Sequence, residues 1–215
     1  MNNLTNGKYR YEIDGIRAFA VIAVILNHFN ADILPSGFLG VDIFFVISGY
    51  VITSSLSRRK SDNFWDFIIG FYARRIKRLI PALFICVLLS CLIVFAIIPE
   101  PQLIVRTGIS ALFGISNIYL YKNLDGYFTE SADLNFFTHT WSLGVEEQFY
   151  FIFPLLIWFS GFYKNKSKGT EIFIKNITFL SIFSLGLYLI FHYLNKSSLA
   201  YFLMPFRFWE MALGS

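Results

Sequence analysis

The sequence contains few charged residues. Asp, Glu, Lys and Arg make up only 15% of its 215 residues, against about 25% in soluble domains, while 56% of the residues are hydrophobic. A water-soluble fold of this length could not bury so much apolar surface, so the composition excludes a soluble globular protein. Cysteine is also scarce: Cys86 and Cys91 lie five positions apart in one apolar stretch. They point to different faces of a helix there and cannot form a disulfide with each other.

Long apolar stretches, by contrast, recur along the whole chain. A helix needs about 20 mostly apolar residues to cross the hydrocarbon layer of a bilayer. We therefore predict an all-α, polytopic bundle with about six complete transmembrane helices and a truncated seventh that begins near Leu199 and stops at Ser215. Residues 1–215 are accordingly interpreted as the N-terminal portion of a longer membrane domain. The complete segments are one built around Ala18–Phe29 with flanks from Ile13 to Leu34, followed by Phe38–Leu56, Leu79–Ile98, Leu103–Leu120, Phe149–Phe162 and Ile177–Leu194.

Positive charge at the ends of these segments predicts their orientation. Lys8 and Arg10 precede the first segment, and cytoplasmic loops are the ones rich in Lys and Arg, so we place the N-terminus in the cytoplasm. Loops of this kind also account for the net charge of +4, so no nucleic-acid partner is predicted. The loop between the second and third segments carries the largest basic group: Arg58, Arg59, Lys60, Arg74, Arg75, Lys77 and Arg78.

Charges later in the chain do not fit a strict alternation of sides. The lysines within 164–168 indicate a cytoplasmic loop and the acids within 125–133 an outside loop, yet alternation puts both on the wrong side. Either Leu103–Leu120 does not cross fully, which its interior polar residues allow where protein buries irregular backbone, or the charge rule is violated. The sequence leaves both alternatives open.

The first segment contains three ionisable residues, Asp14, Arg17 and His28. Such residues cost about 2.5–3.5 kcal/mol each to insert and are functional candidates by default. The eleven-residue spacing of Arg17 and His28 brings both side chains to one helix face, about 16 Å apart along the axis, and Asp14 joins the same stripe. We interpret this stripe as facing the bundle interior, with His28 as a base. The alternative is that Arg17 snorkels to the headgroups and His28 lies at the outer interface.

The second segment contains one acid, Asp42, only four residues after its start at Phe38. A carboxylate so near the interface is weak evidence by itself, but a partner such as Arg17 or His28 would explain it. We predict a supporting role for Asp42.

Two arginines in the basic loop, Arg75 and Arg78, are three residues apart and therefore neighbours on a helix. Paired guanidinium groups can clamp a phosphate, and a nucleotide-containing donor in the cytoplasm is the obvious ligand. The same cluster also fixes topology and contacts anionic lipid.

A further polar group, Trp141, Glu146 and Glu147, precedes an apolar run. One alternative is that the two acids at this helix start do no more than interact favourably with the helix dipole. We predict instead that Trp141, Glu146 and Glu147, together with Gln148 and Tyr150, form an amphipathic lip that holds a polar substrate, the first three in a supporting role. His139 is interpreted as an interface residue rather than a second base, and no metal site is predicted.

Five runs of residues follow one another along nearly the whole chain: Glu12–Arg17 with His28 beyond it, Gly40–Gly49, Phe71–Ala82, His139–Tyr150 and Arg207–Gly214. Together they resemble the acyltransferase 3 family, membrane acyltransferases that include bacterial surface-polysaccharide O-acetyltransferases. Members of that family usually have more spanning helices than this chain, and some carry an extracytoplasmic hydrolase-like domain.

The resemblance implies transfer of an acyl group, commonly acetyl from acetyl-CoA, to a hydroxyl of a cell-envelope carbohydrate such as lipopolysaccharide, at the bacterial inner membrane. In that family the arginine and histidine at Arg17 and His28 are regarded as essential. The family's paired arginines fall on Arg75 and Arg78, and Lys77 replaces an arginine often seen beside them. The implied partners are acyl-CoA as donor substrate, a carbohydrate or lipid-linked glycan acceptor and membrane lipid, with no tightly bound cofactor.

Our mechanistic hypothesis has three parts. Arg75 and Arg78 bind the CoA phosphates. Arg17 orients the thioester or stabilises its developing oxyanion, and His28 acts as base toward the acceptor hydroxyl or carries the acyl group itself. Two other readings remain: a transporter or flippase for a lipid-linked sugar, whose pathway would also be lined by intramembrane charges, and an inactive fragment.

Overall fold

The structure, a computed structural model, describes residues 10–30, 32–59, 61, 63–124, 126–127, 129, 132, 134–162 and 166–215. Throughout these residues the ordered elements are helices, which confirms the predicted all-α class. The α-helices are α1 (Tyr11–Phe29), α2 (Gly40–Ser57), α3 (Phe64–Ile97), α4 (Gln102–Leu112), α5 (Ser116–Asn123), α6 (Trp141–Phe159), α7 (Lys166–Tyr193), α8 (Ser197–Phe202) and α9 (Met204–Leu213). Single 3₁₀ turns at Gly37–Leu39 and Thr138–Thr140 lead directly into α2 and α6.

Three of the described helical stretches are long and apolar enough to cross a membrane, namely Gly37–Ser57, Phe64–Ile97 and Ser167–Tyr193. Large apolar side chains also face outward, above all on α3, where Phe84, Leu88 and Leu92 are exposed. Water would not tolerate so large an apolar surface, whereas lipid covers it without cost. The chain is therefore a membrane protein. The predicted number of six complete helices and a seventh stays a prediction.

Helix α3 carries the basic cluster and an apolar span in one continuous element. Its 34 residues extend about 51 Å, well beyond the roughly 30 Å of a hydrocarbon core. Asn63 caps its start by accepting a hydrogen bond from the Trp65 backbone N–H at 2.9 Å. The helix runs unbroken through Pro81. Arg75 and Arg78 therefore lie on the same continuous helix as the apolar span.

Two of the apolar segments are each divided into two helices. Leu103–Leu120 breaks after α4, where Gly114 has a φ of +67°, a conformation that glycine adopts at little cost and that ends helices. The expected seventh segment breaks at Leu203, which is extended. Pro205 follows two residues later and lacks the N–H that would continue the helix. The two short helices α4 and α5 agree with the alternative in which irregular backbone interrupts Leu103–Leu120.

Several sequence-based expectations fall on residues outside the described ranges. These are the cytoplasmic assignments of Lys8, Lys60 and Lys164, the outside assignment of Asp125, Glu130 and Asp133, and the side chain of Lys166. The two cysteines are both free, as predicted, with Cys86 exposed and Cys91 half-buried.

The main core lies between α2, α6 and α9. Its members include Phe45 from α2, Phe149 and Phe153 from α6, and Phe208 and Met211 from α9. Phe149 and Phe153 stack with their ring centroids 4.7 Å apart, and the Phe208 ring lies 5.2 Å from Phe149. This packing holds α2 and α6 against each other. The same two helices supply most of the wall of the cavity described below.

Gly49 lets α2 and α9 approach closely, and its replacement is expected to separate them. A Cβ atom at this position would overlap the backbone carbonyl of Met211, which cannot move without shifting α9. We expect Gly49→Ala to lower the free energy of unfolding by roughly 1–3 kcal/mol, measured as thermal unfolding in detergent. Gly186→Ala is the matched control, because nothing lies near that position. Equal melting temperatures for the two variants would contradict the predicted close approach.

Candidate active site

A cavity of about 480 Å³ lies among α1, α2, α3 and α6. One part of its wall is apolar and the other holds most of the charged residues singled out from the sequence. The polar and aromatic residues that line it are Arg17, His28, Ser48, Arg75, Arg78, Tyr127, His139, Trp141, Ser142, Glu146, Glu147 and Tyr150. The structure thus brings together residues from four helices that are far apart in the chain.

Helix α1 presents one face to the cavity. Its lining residues are Arg17, Val21, Val24, Ile25 and His28, which recur every three or four positions as one side of a helix does. The eleven-residue spacing therefore places Arg17 and His28 on the same cavity wall, as expected from the sequence. Their catalytic roles stay predictions.

Helix α3 contributes Arg75 and Arg78, one turn apart on the same wall. The guanidinium carbon of Arg75 lies 3.4 Å above the ring centroid of Tyr150, within the range in which a cation is attracted to an aromatic face. Arg78 is exposed. Both arginines reach the cavity that also contains His28.

The first acid of α6, Glu146, is held by two hydroxyl groups. The Ser48 hydroxyl donates to Oε1 at 2.8 Å, and the Tyr150 hydroxyl donates to Oε2 at 3.0 Å. Glu147 lines the cavity beside it. Both acids therefore border the cavity, with Glu146 engaged with α2 and with its own helix, and their role toward a substrate stays a prediction.

The imidazole of His28 lies next to a cluster of three aromatic side chains, Tyr127, Tyr201 and Trp141. Its Nε2 is 3.4 Å from the Tyr127 hydroxyl, and the Tyr127 ring stacks on Tyr201 with centroids 4.7 Å apart. The ring centroid of Trp141, the third member of this cluster, lies 4.4 Å from that of Tyr201. With 1% of its surface exposed, Trp141 is chiefly a core residue, and only its edge borders the cavity where a substrate could bind.

Two predicted site residues are placed elsewhere. Asp14 is exposed and does not line the cavity. Asp42 accepts a hydrogen bond from Arg207, not from Arg17 or His28. The expected partner was wrong because α9, almost at the end of the chain, packs against α2 and puts Arg207 nearer.

Arg207 is the centre of a buried ion cluster. Only 7% of its side chain is exposed, and its second guanidinium nitrogen lies 2.9 Å from Glu210 Oε1. The rings of Phe45, Trp141 and Tyr201 surround the guanidinium carbon at 5.4–5.6 Å. Since a buried charge is costly without partners, this cluster fixes α9 against α2, immediately behind the cavity wall.

Sequence reasoning missed the contacts that join distant helices. Ser48 and Tyr150 were each noted in their own segment, but that both donate to Glu146 depends on how α2 packs on α6. Tyr127 lies in an irregular connection and carries no periodic signal. In the part of the chain that the structure describes, no three His, Cys, Asp or Glu side chains come close enough to hold a metal ion.

The arrangement provides two kinds of chemistry in one enclosure. Three guanidinium groups can bind anionic groups or stabilise a developing oxyanion. An imidazole can accept a proton from a hydroxyl group near neutral pH. Most of the remaining wall consists of apolar side chains of α1 and α2.

Comparison with known proteins identifies similar sequences over the whole chain. The family profile described as "Acyltransferase domain" matches residues 10–214. O-acetyltransferase OatA of Staphylococcus aureus (strain NCTC 8325 / PS 47) is 41% identical over 221 residues, covering 100% of this chain and 35% of that protein. Putative O-acetyltransferase SAS0844 of Staphylococcus aureus (strain MSSA476) is 37% identical over 212 residues, covering 96% and 34%. The chain spans about a third of the length of these relatives. No solved structure matches it.

Proposed function

Because this chain belongs to the acyltransferase 3 family, we propose that the protein transfers an acyl group, acetyl in particular, from acyl-CoA to a hydroxyl of a cell-envelope carbohydrate. The observation that carries the proposal is that Arg17, His28, Arg75 and Arg78 line one cavity. The O-acetyltransferase names of the two relatives support the acyl group and the oxygen acceptor. The carbohydrate and the CoA donor rest on the family resemblance and on the charges of the site.

The proposed reaction uses His28 as general base. It takes the proton of the acceptor hydroxyl while the hydroxyl oxygen attacks the thioester carbonyl carbon. Arg17 stabilises the negative oxygen of the tetrahedral intermediate. The carbon–sulfur bond then breaks, the CoA sulfur leaves with the electron pair, and His28 returns the proton to it. The acetyl ester and free CoA are the products.

The location follows from the same proposal. We place the N-terminus and the basic half of α3 on the cytoplasmic side of a bacterial inner membrane, where acyl-CoA is found. Helices α1 and α6 then cross the bilayer beside the three long apolar helices. Their interior charges face the cavity, the arrangement in which ionisable residues are tolerated within membranes.

Substitution of the two cavity arginines is expected to weaken donor binding. A hydrogen bond to a charged group contributes about 1.5–3 kcal/mol, so Arg75→Ala with Arg78→Ala should raise the KM for acetyl-CoA at least about tenfold. The acceptor KM should change little. Arg74→Ala is the matched control, because Arg74 lies in the same basic run but does not line the cavity. Equal donor KM values for the double variant and the control would mean that Arg75 and Arg78 serve topology or lipid contact only.

The activity itself is tested with acetyl-CoA labelled in the acetyl group. Membranes that contain the protein expressed from its natural reading frame are incubated with this donor, and both free CoA and labelled glycan are measured. The proposal predicts that both appear together and depend on the protein. A transporter would move the glycan without consuming the thioester, and no consumption of thioester above control membranes would contradict acyl transfer.

A further inference from the structure

Arg75 is held from one side by an aromatic ring. Its guanidinium carbon lies 3.4 Å above the Tyr150 ring centroid, and Tyr150 is only 3% exposed. The Arg75 Nε atom is buried and has no hydrogen-bond partner among the described residues. The ring is thus in direct contact with this guanidinium, which lines the cavity and whose charge also acts on the carboxylates of Glu146 and Glu147.

Tyr150 is itself fixed by hydrogen bonds. Its hydroxyl donates to Glu146 Oε2 at 3.0 Å, while Glu146 Oε1 accepts from Ser48 at 2.8 Å. A phenol that donates to a carboxylate gains electron density, which makes the ring face more negative and strengthens its attraction for a cation. The Tyr150 side chain thus links Glu146 to Arg75, in addition to the direct attraction between the two charges.

The backbone near the ring is also tied to α3. The Tyr72 hydroxyl donates to the carbonyl oxygens of Tyr150 and Phe151 at 3.3 and 3.0 Å. Tyr72 precedes Arg75 by three residues and shares its helix face. The two helices are consequently held in the register that places the guanidinium over the ring.

We propose that Tyr150 is a positioning residue that holds the Arg75 guanidinium for the anionic part of the acyl donor, and that Glu146 acts through Tyr150 rather than as a base. This inference rests on the proposed function, since it concerns how the donor is bound. Ser48, Glu146 and Tyr150 then have one shared task, which is to hold the Arg75 guanidinium in place. The substrate is affected only through Arg75.

Removal of the ring should raise the donor KM and leave the chemistry nearly intact. For Tyr150→Leu we expect the KM for acetyl-CoA to rise about tenfold, because a desolvated cation–π contact is lost. The kcat should stay within about twofold of the value for the unaltered protein. Tyr150→Phe and Glu146→Gln keep the ring and should each raise the donor KM about threefold. Phe159→Leu is the matched control, since it removes an exposed aromatic ring from α6 outside the cavity.

A double-variant comparison distinguishes positioning from a structural effect. In an Arg75→Ala background, Tyr150→Leu should raise the donor KM no further, because the group that it positions is gone. A tenfold rise in that background, or a fall in kcat at unchanged donor KM, would overturn the inference. Tyr150→Leu could fail to reach the membrane, and the other two variants then provide the test. Unchanged donor KM values for both Tyr150→Phe and Glu146→Gln would also overturn the inference.

The outcomes also separate this inference from the proposed function. If Arg75→Ala raises the donor KM and Tyr150→Leu does not, the arginine binds the donor but the ring does not position it, and only the inference fails. If Arg75→Ala leaves the donor KM unchanged while acyl transfer continues, donor binding by Arg75 and the inference fail together. Absence of thioester consumption in the unaltered protein contradicts the proposed function.

Discussion

Replacement of His28 by alanine should abolish acyl transfer without removing the protein from the membrane. His28 lines the cavity on the same face of α1 as Arg17, and its imidazole is the proposed acceptor of the hydroxyl proton. General acid–base catalysis by a positioned side chain contributes about 10²–10⁴-fold, so kcat should fall by that factor. The donor KM should remain nearly constant, because the arginines that bind the donor are untouched.

The control for this substitution is His192→Ala. His192 lies at the end of α7, stacks on Tyr188 with ring centroids 6.0 Å apart, and does not line the cavity. Its replacement should leave kcat within about twofold, far from the loss expected for a catalytic base. Undiminished transfer by His28→Ala at normal protein level would rule out His28 as base or acyl carrier.

Replacement of Arg207 should have the largest effect on stability. The side chain bridges Asp42 and Glu210, with 7% of it exposed. Removal of Arg207 leaves the buried carboxylate of Glu210 without its partner, and breaking a buried pair in this way typically costs about 3–5 kcal/mol. We expect Arg207→Ala to lose most of the folded protein, measured as the thermal unfolding midpoint in detergent and as the amount recovered from membranes.

An exposed ion pair provides the comparison. Lys175 and Glu171 lie one turn apart on α7 at 2.7 Å, with side chains 72% and 66% exposed. Such pairs contribute roughly 0.3–0.5 kcal/mol, so Lys175→Ala should hardly change the midpoint. If Arg207→Ala and Lys175→Ala shifted it equally, the buried cluster would not be what fixes α9 against α2.

The local features of the site could be predicted from the sequence because they depend on helix periodicity. Arg17 and His28 share a face whatever the rest of the fold does, and the same holds for Arg75 and Arg78. The class of fold was likewise determined by the surplus of apolar residues. These inferences needed no knowledge of which helices are neighbours.

The remaining features depend on packing between distant parts of the chain. Asp42 and Arg207 are 165 positions apart, and only the seating of α9 on α2 brings them together. The break at Leu203 was missed for a different reason, whereas at Gly114 the sequence left the course of the segment open. Hydropathy over a window of about 20 residues averages out a single glycine or proline, although each residue decides the backbone locally.

The most direct test is an experimentally determined structure of the protein, in lipid nanodiscs, with a non-hydrolysable acetyl-CoA analogue. The account predicts that the acetyl group lies in the cavity between His28 and Arg17, with a phosphate of the analogue within hydrogen-bonding distance of Arg75 or Arg78. An analogue bound elsewhere, with His28 and Arg17 directed into the lipid, would contradict it.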